Sequence, residues 1–467
     1  MLTTHKNQSQ EPESAVSTEV LIRYDKPGPR YTSYPTAPAW SDSFGDVDYR
    51  AALATASQAD APLSLYVHIP FCSHRCAFCG CNVIISKSMT VVDKYLDYLD
   101  RELDMAAQAI GTRRTVNQLH WGGGTPTFLV LPQMQTLYDS ITKRFDVERS
   151  AEIAVEVDPR VTTRDQVDKL RTLGFNRVSM GVQDLDAEVQ AAIDRNQTED
   201  QTRQLVSWCR DSRMESVNID LVYGLPKQTV ESWSQTLDTV VELRPDRLAV
   251  YSYAHLPDSL HNQRKINADD LPRGAAKYEL LALARWKFAQ TGYRAIGMDH
   301  FALPDDELSV AVSERRLSRN FMGYTVKQAP DMIGFGTSAI GEIGGALAQN
   351  EKKLSRYFQA LDEGRFATAR GCALTPDDRI RAWVIREITC NFHLDFAELR
   401  DRWGVDFETY FAEERQDLAP LCSDGFVNLD DDSLAVVSLG QVFVRNVAMV
   451  FDAYLRKGMQ HTFSRTV

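Results

Sequence analysis

The sequence predicts an α/β fold: a partial (β/α)6 barrel followed by a small, mostly helical C-terminal domain. Three observations carry this. From about Ser64 to Pro257, short apolar runs alternate with amphipathic stretches. The runs are rich in β-branched and aromatic residues and bounded by turn formers, as strands are. The alternation stops after six runs, fewer than the eight of a closed barrel.

The predicted strands are Ser64–Pro70, Gln118–Gly124, Glu152–Pro159, Arg177–Gln183, Ser216–Pro226 and Arg247–Pro257. Being largely apolar, they read as strands buried on both faces of a parallel sheet. Between them, Val92–Ala109 sets Leu96, Leu99, Leu103 and Ala106 on one helical stripe. Thr163 followed by Gln166 forms a capping-box pattern, and Gly174 marks the end of that helix. Tandem strand–helix units of this kind pack as a barrel or a wound sheet. Further on, Ile380, Trp383, Val384 and Ile388 open a helical region, and a Leu- and Phe-rich stretch follows. This C-terminal domain is expected to cover the barrel mouth.

Cys72, Cys76, Cys79 and Cys81 fall within ten residues, and the first three have the spacing C-x3-C-x2-C. Thiolates so placed can hold three irons of an iron–sulfur cube and leave the fourth iron open to a small molecule. Electron-carrying clusters usually have four thiolates. Structural zinc wants paired C-x2-C or His-containing sets, and the remaining cysteines, Cys209, Cys372, Cys390 and Cys422, are isolated. No apolar leader precedes the cluster, and a chain of 467 residues does not need disulfide staples.

The charge of −12 gives no basic field for nucleic acid, and no apolar run reaches the length of a membrane span. A reducing, cytoplasmic setting is expected. Met1–Val20 is polar and reads as a disordered tail.

Glu156, Gln183, Asp220 and His255 lie at or near predicted strand ends, the rim that carries chemistry in such barrels. Any one alone reads equally as a satisfied structural group. His68, four residues before Cys72, is as readily a core histidine as a functional one. The run Gly122-Gly123-Gly124-Thr125-Pro126 fits neither the dinucleotide fingerprint nor the P-loop. It is either a tight turn or a place where backbone approaches a ligand.

Cys72-x3-Cys76-x2-Cys79, with Phe78 before the third cysteine and Gly122–Pro126 beyond, resembles the radical S-adenosylmethionine superfamily. The match narrows through Tyr66–Cys72, Cys79–Asn82, Val155–Arg160, Ser179–Asp184, Asn218–Pro226, Tyr253–Pro257 and Gly297–Phe301. With Lys26–Pro35 near the start and Phe463–Arg465 near the end, this set resembles the oxygen-independent coproporphyrinogen III oxidase family from about residue 20 onward.

The resemblance implies a [4Fe-4S] cluster on Cys72, Cys76 and Cys79. It implies one S-adenosylmethionine on the open iron, contacted by Tyr66, Gly123, Glu156 and Ile340. A second would meet Phe78, Gly124, Thr125, Gln183, Arg195, Asp220 and Ala254. Tyr66 and Cys81 are the residues expected beside the chemistry. The implied reaction converts two propionates of coproporphyrinogen III to vinyls through a 5′-deoxyadenosyl radical, giving protoporphyrinogen IX in haem biosynthesis. An electron donor of flavodoxin or ferredoxin type and an unnamed electron acceptor are implied, and a monomer is expected. Lys26, Arg30, Tyr31, Tyr34 and the stretch Arg319–Tyr324 are the expected contacts for the substrate's carboxylates. Two other readings are a haem chaperone of the same lineage, against which Cys81 and the Pro-Gly-Pro-Arg-Tyr-Thr-Ser-Tyr segment speak, and a radical methyltransferase. The expected division is a tail over 1–20, a substrate-contacting arm over 21–60, a radical S-adenosylmethionine barrel with its extension over 61–365, and the C-terminal domain over 366–467.

Overall fold

The structure, a computed structural model, describes residues 17–86, 88–327, 329–458 and 463–466. Six strands follow one another across a single sheet: β1 (Leu63–Ile69), β2 (Thr115–Gly123), β3 (Asp146–Val157), β4 (Arg177–Gln183), β5 (Ser216–Tyr223) and β6 (Arg247–Ser252). Each pairs in parallel with the next. Helices fill the connections, as parallel pairing requires. Among them, Met89–Ile110 buries Leu96, Leu99, Leu103 and Ala106. Thr163 and Gln166 cap the helix Arg164–Thr172 reciprocally, and Gly174 follows it at φ +97°.

The sheet does not close. Beyond β6 come antiparallel β7 (Arg294–Ile296) and β8 (His300–Ala302), with β8 against β6. On the other side β9 (Asp331–Phe335) lies parallel to β1, followed by antiparallel β10 (Ile340–Ile343), β11 (Ala346–Asn350) and β12 (Thr368–Ala373). The twelve-stranded sheet thus runs past the boundary expected at residue 365, because β12 pairs with β11 and belongs to the barrel.

The strands are not apolar on both faces, contrary to expectation. One face of β1 carries Leu63, Leu65, Val67 and Ile69, all fully buried under the helices. The other carries Ser64, Tyr66 and His68. The same alternation places Gln118 and His120 of β2, Glu152 and Glu156 of β3, and Asn218 and Asp220 of β5 on the inner face, where they line a cavity of about 130 Å³. The period-2 pattern of a strand builds an apolar shell around a polar lumen.

Residues 1–16 of the expected tail lie outside the described residues. From Ser17, whose side chain accepts from the Val20 amide, the chain forms the helix Thr18–Tyr24. That helix starts inside the expected tail because Leu21 and Tyr24 bury against the C-terminal part. There, the helix Pro376–Arg386 and shorter helices surround a three-stranded sheet of His393–Asp395, Val427–Leu429 and Ser433–Val436. Their core includes Trp383, Phe407, Phe411 and Phe443, together with Tyr31, Tyr34 and Tyr278. No helix among the described residues is long and apolar enough to cross a membrane.

Candidate active site at the barrel mouth

The cysteine loop leaves β1 through Phe71–Cys72, which pairs with Ile84–Ile85. Cys76 is buried, Cys72 and Cys79 half-buried, and Cys81 exposed. The loop is held from outside. The Asn262 amide donates to the carbonyls of Cys76 (3.2 Å), Ala77 (3.0 Å) and Cys79 (2.9 Å). Gln263 donates to the carbonyls of Phe78 (2.9 Å) and Ala254 (3.2 Å).

Donors stand around the sulfurs, with Asp158 behind them pairing with both Arg160 (2.6 Å) and Arg195 (3.5 Å). The guanidinium of Arg160 lies 3.5 Å and that of Arg195 3.7 Å from Cys76 Sγ, and Thr125 Oγ1 is 3.3 Å from Cys72 Sγ. Among the described residues, no three His, Cys, Asp or Glu side chains converge on one point to hold a single metal ion. A cubane takes one thiolate at each of three corners, so its ligands stand apart. Three cysteines on one loop, with two guanidiniums beside Cys76 Sγ, fit a cluster better than a lone ion.

The glycine run closes this loop onto β2. Gly124 N–H donates to Ile69 O and Thr125 N–H to Phe71 O, at 2.8 and 2.9 Å. A Cβ on Gly124 would stand 2.8 Å from the Pro70 and Phe71 backbone. At Gly123, φ is +116° and a Cβ would meet the His68 ring at 2.5 Å. Both positions need glycine for contacts within the protein alone.

Beside the loop a cavity of about 230 Å³ brings together Tyr66, His68, Cys81, Gly123, Glu156 and Ile340. Ile340 arrives on β10, carried there by the pairing of β9 with β1. His68 Nε2–H donates to the Asn82 carbonyl at 3.0 Å, so Nδ1 accepts from the Tyr66 hydroxyl, also at 3.0 Å. Burial lowers His68 below the usual imidazole range, in keeping with this neutral form. The Tyr66 ring stacks on His120 with centroids 5.8 Å apart. Glu156 accepts from the Gly123 amide at 2.9 Å and lies 3.5 Å from His120 Nε2. Burial pushes this carboxyl up, but His120 and Gly123 outweigh it and leave it below the usual range. The result is an ionised acceptor facing the cavity.

Of the residues expected around a second cofactor, Asp220 lines the lumen cavity and Ala254 the cavity beyond the end of β6. Asp220 faces the lumen, where Ser179 and Asn218 donate to it at 3.1 and 2.7 Å. Burial, helped by the Glu156 charge, pushes it up to about 6. Gln183 ends β4 at φ +71° and crowds Gly181, whose carbonyl accepts from Arg195 at 2.6 Å. Arg195 lies just past the helix Ala187–Ala192 rather than on it. It is buried beside Asp158 (3.5 Å) and reaches the cysteine loop, although its strand lies across the barrel. Phe78 and Ala254 are joined through Gln263. His255 lies beyond the end of β6, its Nδ1 3.1 Å from the Tyr253 hydroxyl.

Of the arm residues expected to meet substrate, Tyr31 donates to Asp452 (3.0 Å) and Tyr34 accepts from the Ala453 amide (3.0 Å). Both are buried in the C-terminal core. Lys26 is exposed and its amide is tied to Thr466. Only Arg30 turns inward, donating to Ser252 O at 2.6 Å over the Tyr251 ring. Arg319 donates to the Arg30 carbonyl at 3.0 Å, and Phe321 and Met322 line the smaller cavity by Tyr66. Sequence reasoning missed His120, Asn262 and Gln263. His120 shares the inner face with Gln118 and was readable from strand period. The other two sit in a short 3-10 turn, His261–Lys265, with no pattern of their own.

The radical SAM superfamily profile matches residues 66–240, and that of the HemN C-terminal domain matches residues 374–443. The chain is 48% identical to the oxygen-independent coproporphyrinogen III oxidases of Salmonella typhimurium and Escherichia coli K12. Each match runs over 449 residues, 96% of this chain and 98% of the relative. Identity to the Pseudomonas aeruginosa oxidase is 44%, with the same coverage. The solved structure of coproporphyrinogen III oxidase (HemN) from Escherichia coli, described as a radical SAM enzyme, superposes with a TM-score of 0.90 and 46% identity. It covers 95% of this chain and 100% of that one. The chain therefore belongs to the oxygen-independent coproporphyrinogen III oxidase family of radical SAM enzymes.

Proposed function

We propose that this enzyme carries out the anaerobic oxidative decarboxylation of two propionates of coproporphyrinogen III, giving protoporphyrinogen IX, in the cytoplasm. The observation that carries the reading is the juxtaposition of the C-x3-C-x2-C loop with the cavity of Tyr66, Gly123, Glu156 and Ile340. Cys72, Cys76 and Cys79 would hold a [4Fe-4S] cluster. Bound there and reduced, the cluster with S-adenosylmethionine would supply the radical chemistry that removes hydrogen from the propionate carbon next to the ring.

The chain's own residues bind, orient and exclude water. Ionised Glu156 accepts from the cofactor's ammonium or ribose hydroxyls, and His120 and Gly123 hold it in place. Neutral His68 fixes the Tyr66 hydroxyl, which orients that ring toward the cavity. Arg160 and Arg195 offset thiolate charge at Cys76. Phe78, Gly124, Thr125, Gln183, Arg195, Asp220 and Ala254 would contact a second S-adenosylmethionine, and an electron donor of flavodoxin or ferredoxin type would supply the reducing electron. The test is an anaerobic assay of reconstituted protein with reductant, S-adenosylmethionine and coproporphyrinogen III. Protoporphyrinogen IX and 5′-deoxyadenosine are expected together; tight haem binding with no product would replace the enzyme reading with a chaperone.

A further inference from the structure

Apart from Arg30, the Lys26–Pro35 and Phe463–Arg465 motifs have no part in the site described so far, yet the fold joins them. Gly28 N–H donates to Ser464 O and Thr466 N–H to Lys26 O, both at 3.0 Å. Buried Arg445 ties them further, donating to the carbonyls of Pro29 (2.9 Å), Arg465 (2.7 Å) and Gly28. Beneath this clasp, against the end of β6, lies a cavity of about 590 Å³ lined by Ala254, His255, Lys277, Phe463 and Arg465 among others. That volume is typical of a small-molecule site.

Lys277 is its central group. Its stem runs over Gly224, where φ is +83° and a Cβ would stand 2.7 Å from Lys277 Cε. Its ammonium donates to the Tyr253 carbonyl at 3.2 Å and lies 5.7 Å from the Tyr223 ring centre. The Asp25 carboxylate, which pairs with Arg465 at 3.2 Å, acts to raise it, and the guanidiniums of Arg30, Arg445 and Arg465 act to lower it. Burial and these cations hold Lys277 down to about 8. Lys277, Arg273 and Arg465 line this half-buried cavity with Asp25, in a chain of net charge −12 and next to the end of β6.

We infer that this cavity receives a propionate carboxylate of the tetrapyrrole, with Lys277 as its ligand. The inference rests on the proposed function. A carboxylate there would sit beside the Lys277 ammonium, and Ala254, which lines the cavity, accepts from Gln263, the same side chain that donates to Phe78 of the cysteine loop. A non-reacting propionate held here would orient the macrocycle toward the cluster.

The test compares reconstituted full-length wild type with Lys277→Met and Lys277→Arg, in equilibrium binding of coproporphyrinogen III without reductant and in turnover. Lys277→Met keeps the stem and removes the charge. Its Kd and KM are expected to rise about 10- to 100-fold, the loss of one charge-assisted hydrogen bond, with iron content and bound S-adenosylmethionine unchanged. Lys277→Arg should stay within about threefold of wild type, keeping the charge-assisted contact. Should Lys277→Met fail to load iron, Lys277→Gln carries the same comparison. Unchanged substrate affinity without the charge, equal losses in both variants, or loss of one S-adenosylmethionine with substrate affinity intact would each overturn the inference. A wild type that binds and oxidises coproporphyrinogen would still leave the proposed function standing in those cases. A wild type that does neither would overturn both.

Discussion

Replacing Asp220 by Asn should make the protein more stable and less active. The carboxyl sits on the lumen face of β5, and burial, reinforced by ionised Glu156, raises it from the usual 3.8 to about 6. An acid whose folded pKa is raised carries no penalty below its unfolded value. The penalty builds as pH rises through that value and is complete above the folded one. A shift of about two units corresponds to roughly 3 kcal/mol at pH 8, shrinking steadily below pH 6. Asn preserves the shape and can still pair with Ser179 and Asn218, which now donate to the carboxylate at 3.1 and 2.7 Å. Urea unfolding at pH 8 should therefore show Asp220→Asn stabilised by about 3 kcal/mol, and at pH 5 by about half of that. In the same variant, the second S-adenosylmethionine of the proposed site should no longer bind, because Asn does not offer two acceptor oxygens to a ribose diol. In wild type, binding of that second cofactor should weaken as pH falls through about 6. A variant that is destabilised at pH 8, or stabilised and still binding two cofactors with normal turnover, would refute the reasoning.

Three further outcomes are expected. Asn262→Ala removes the NH2 donor that three carbonyls of the cysteine loop share and should cost about 1–2 kcal/mol, lowering the thermal midpoint by a few degrees and speeding iron loss from reconstituted protein on exposure to chelator. Gly124→Ala places a methyl 2.8 Å from the Pro70 and Phe71 backbone and should destabilise by about 1–3 kcal/mol while lowering iron content, both measured on the same preparation. Arg445→Met leaves several buried carbonyls unsatisfied and should cost about 3 kcal/mol, with hydrogen exchange accelerated over residues 24–31 and 463–466 and unchanged at β1.

The six-strand frame was legible because each strand is long enough to show its pattern and ends at a turn former. The polar lumen was written in the same residues: Ser64, Tyr66 and His68 alternate with Leu63, Leu65, Val67 and Ile69, and counting apolar residues hid that period. The antiparallel extension was not legible. Its strands run three to six residues, and Ile340–Ile343 lies in a glycine-rich stretch with little propensity of its own. What places Ile340 at the site is the pairing of β9 with β1, more than 250 residues earlier in the chain. Distance along the chain also explains the arm. Tyr31 and Tyr34 read as surface contacts until Asp452 and Ala453, 421 and 419 residues away, are seen to hold them. Cys72, Cys76 and Cys79 needed no such help, because their spacing alone confines three thiolates to one loop. The loop's anchors, Asn262 and Gln263, left no local trace, since amide side chains in a 3-10 turn look like any solvated loop.

Iron and sulfide per chain, measured in anaerobically reconstituted cysteine variants, test the central claim most directly. Cys72→Ser, Cys76→Ser and Cys79→Ser should each lose the cluster and its visible absorption. Cys81→Ser, exposed and outside the C-x3-C-x2-C set, should keep about the wild-type iron even if turnover falls. Iron loss in Cys81→Ser as deep as in the other three would make it a fourth ligand, close the open iron, and contradict the account.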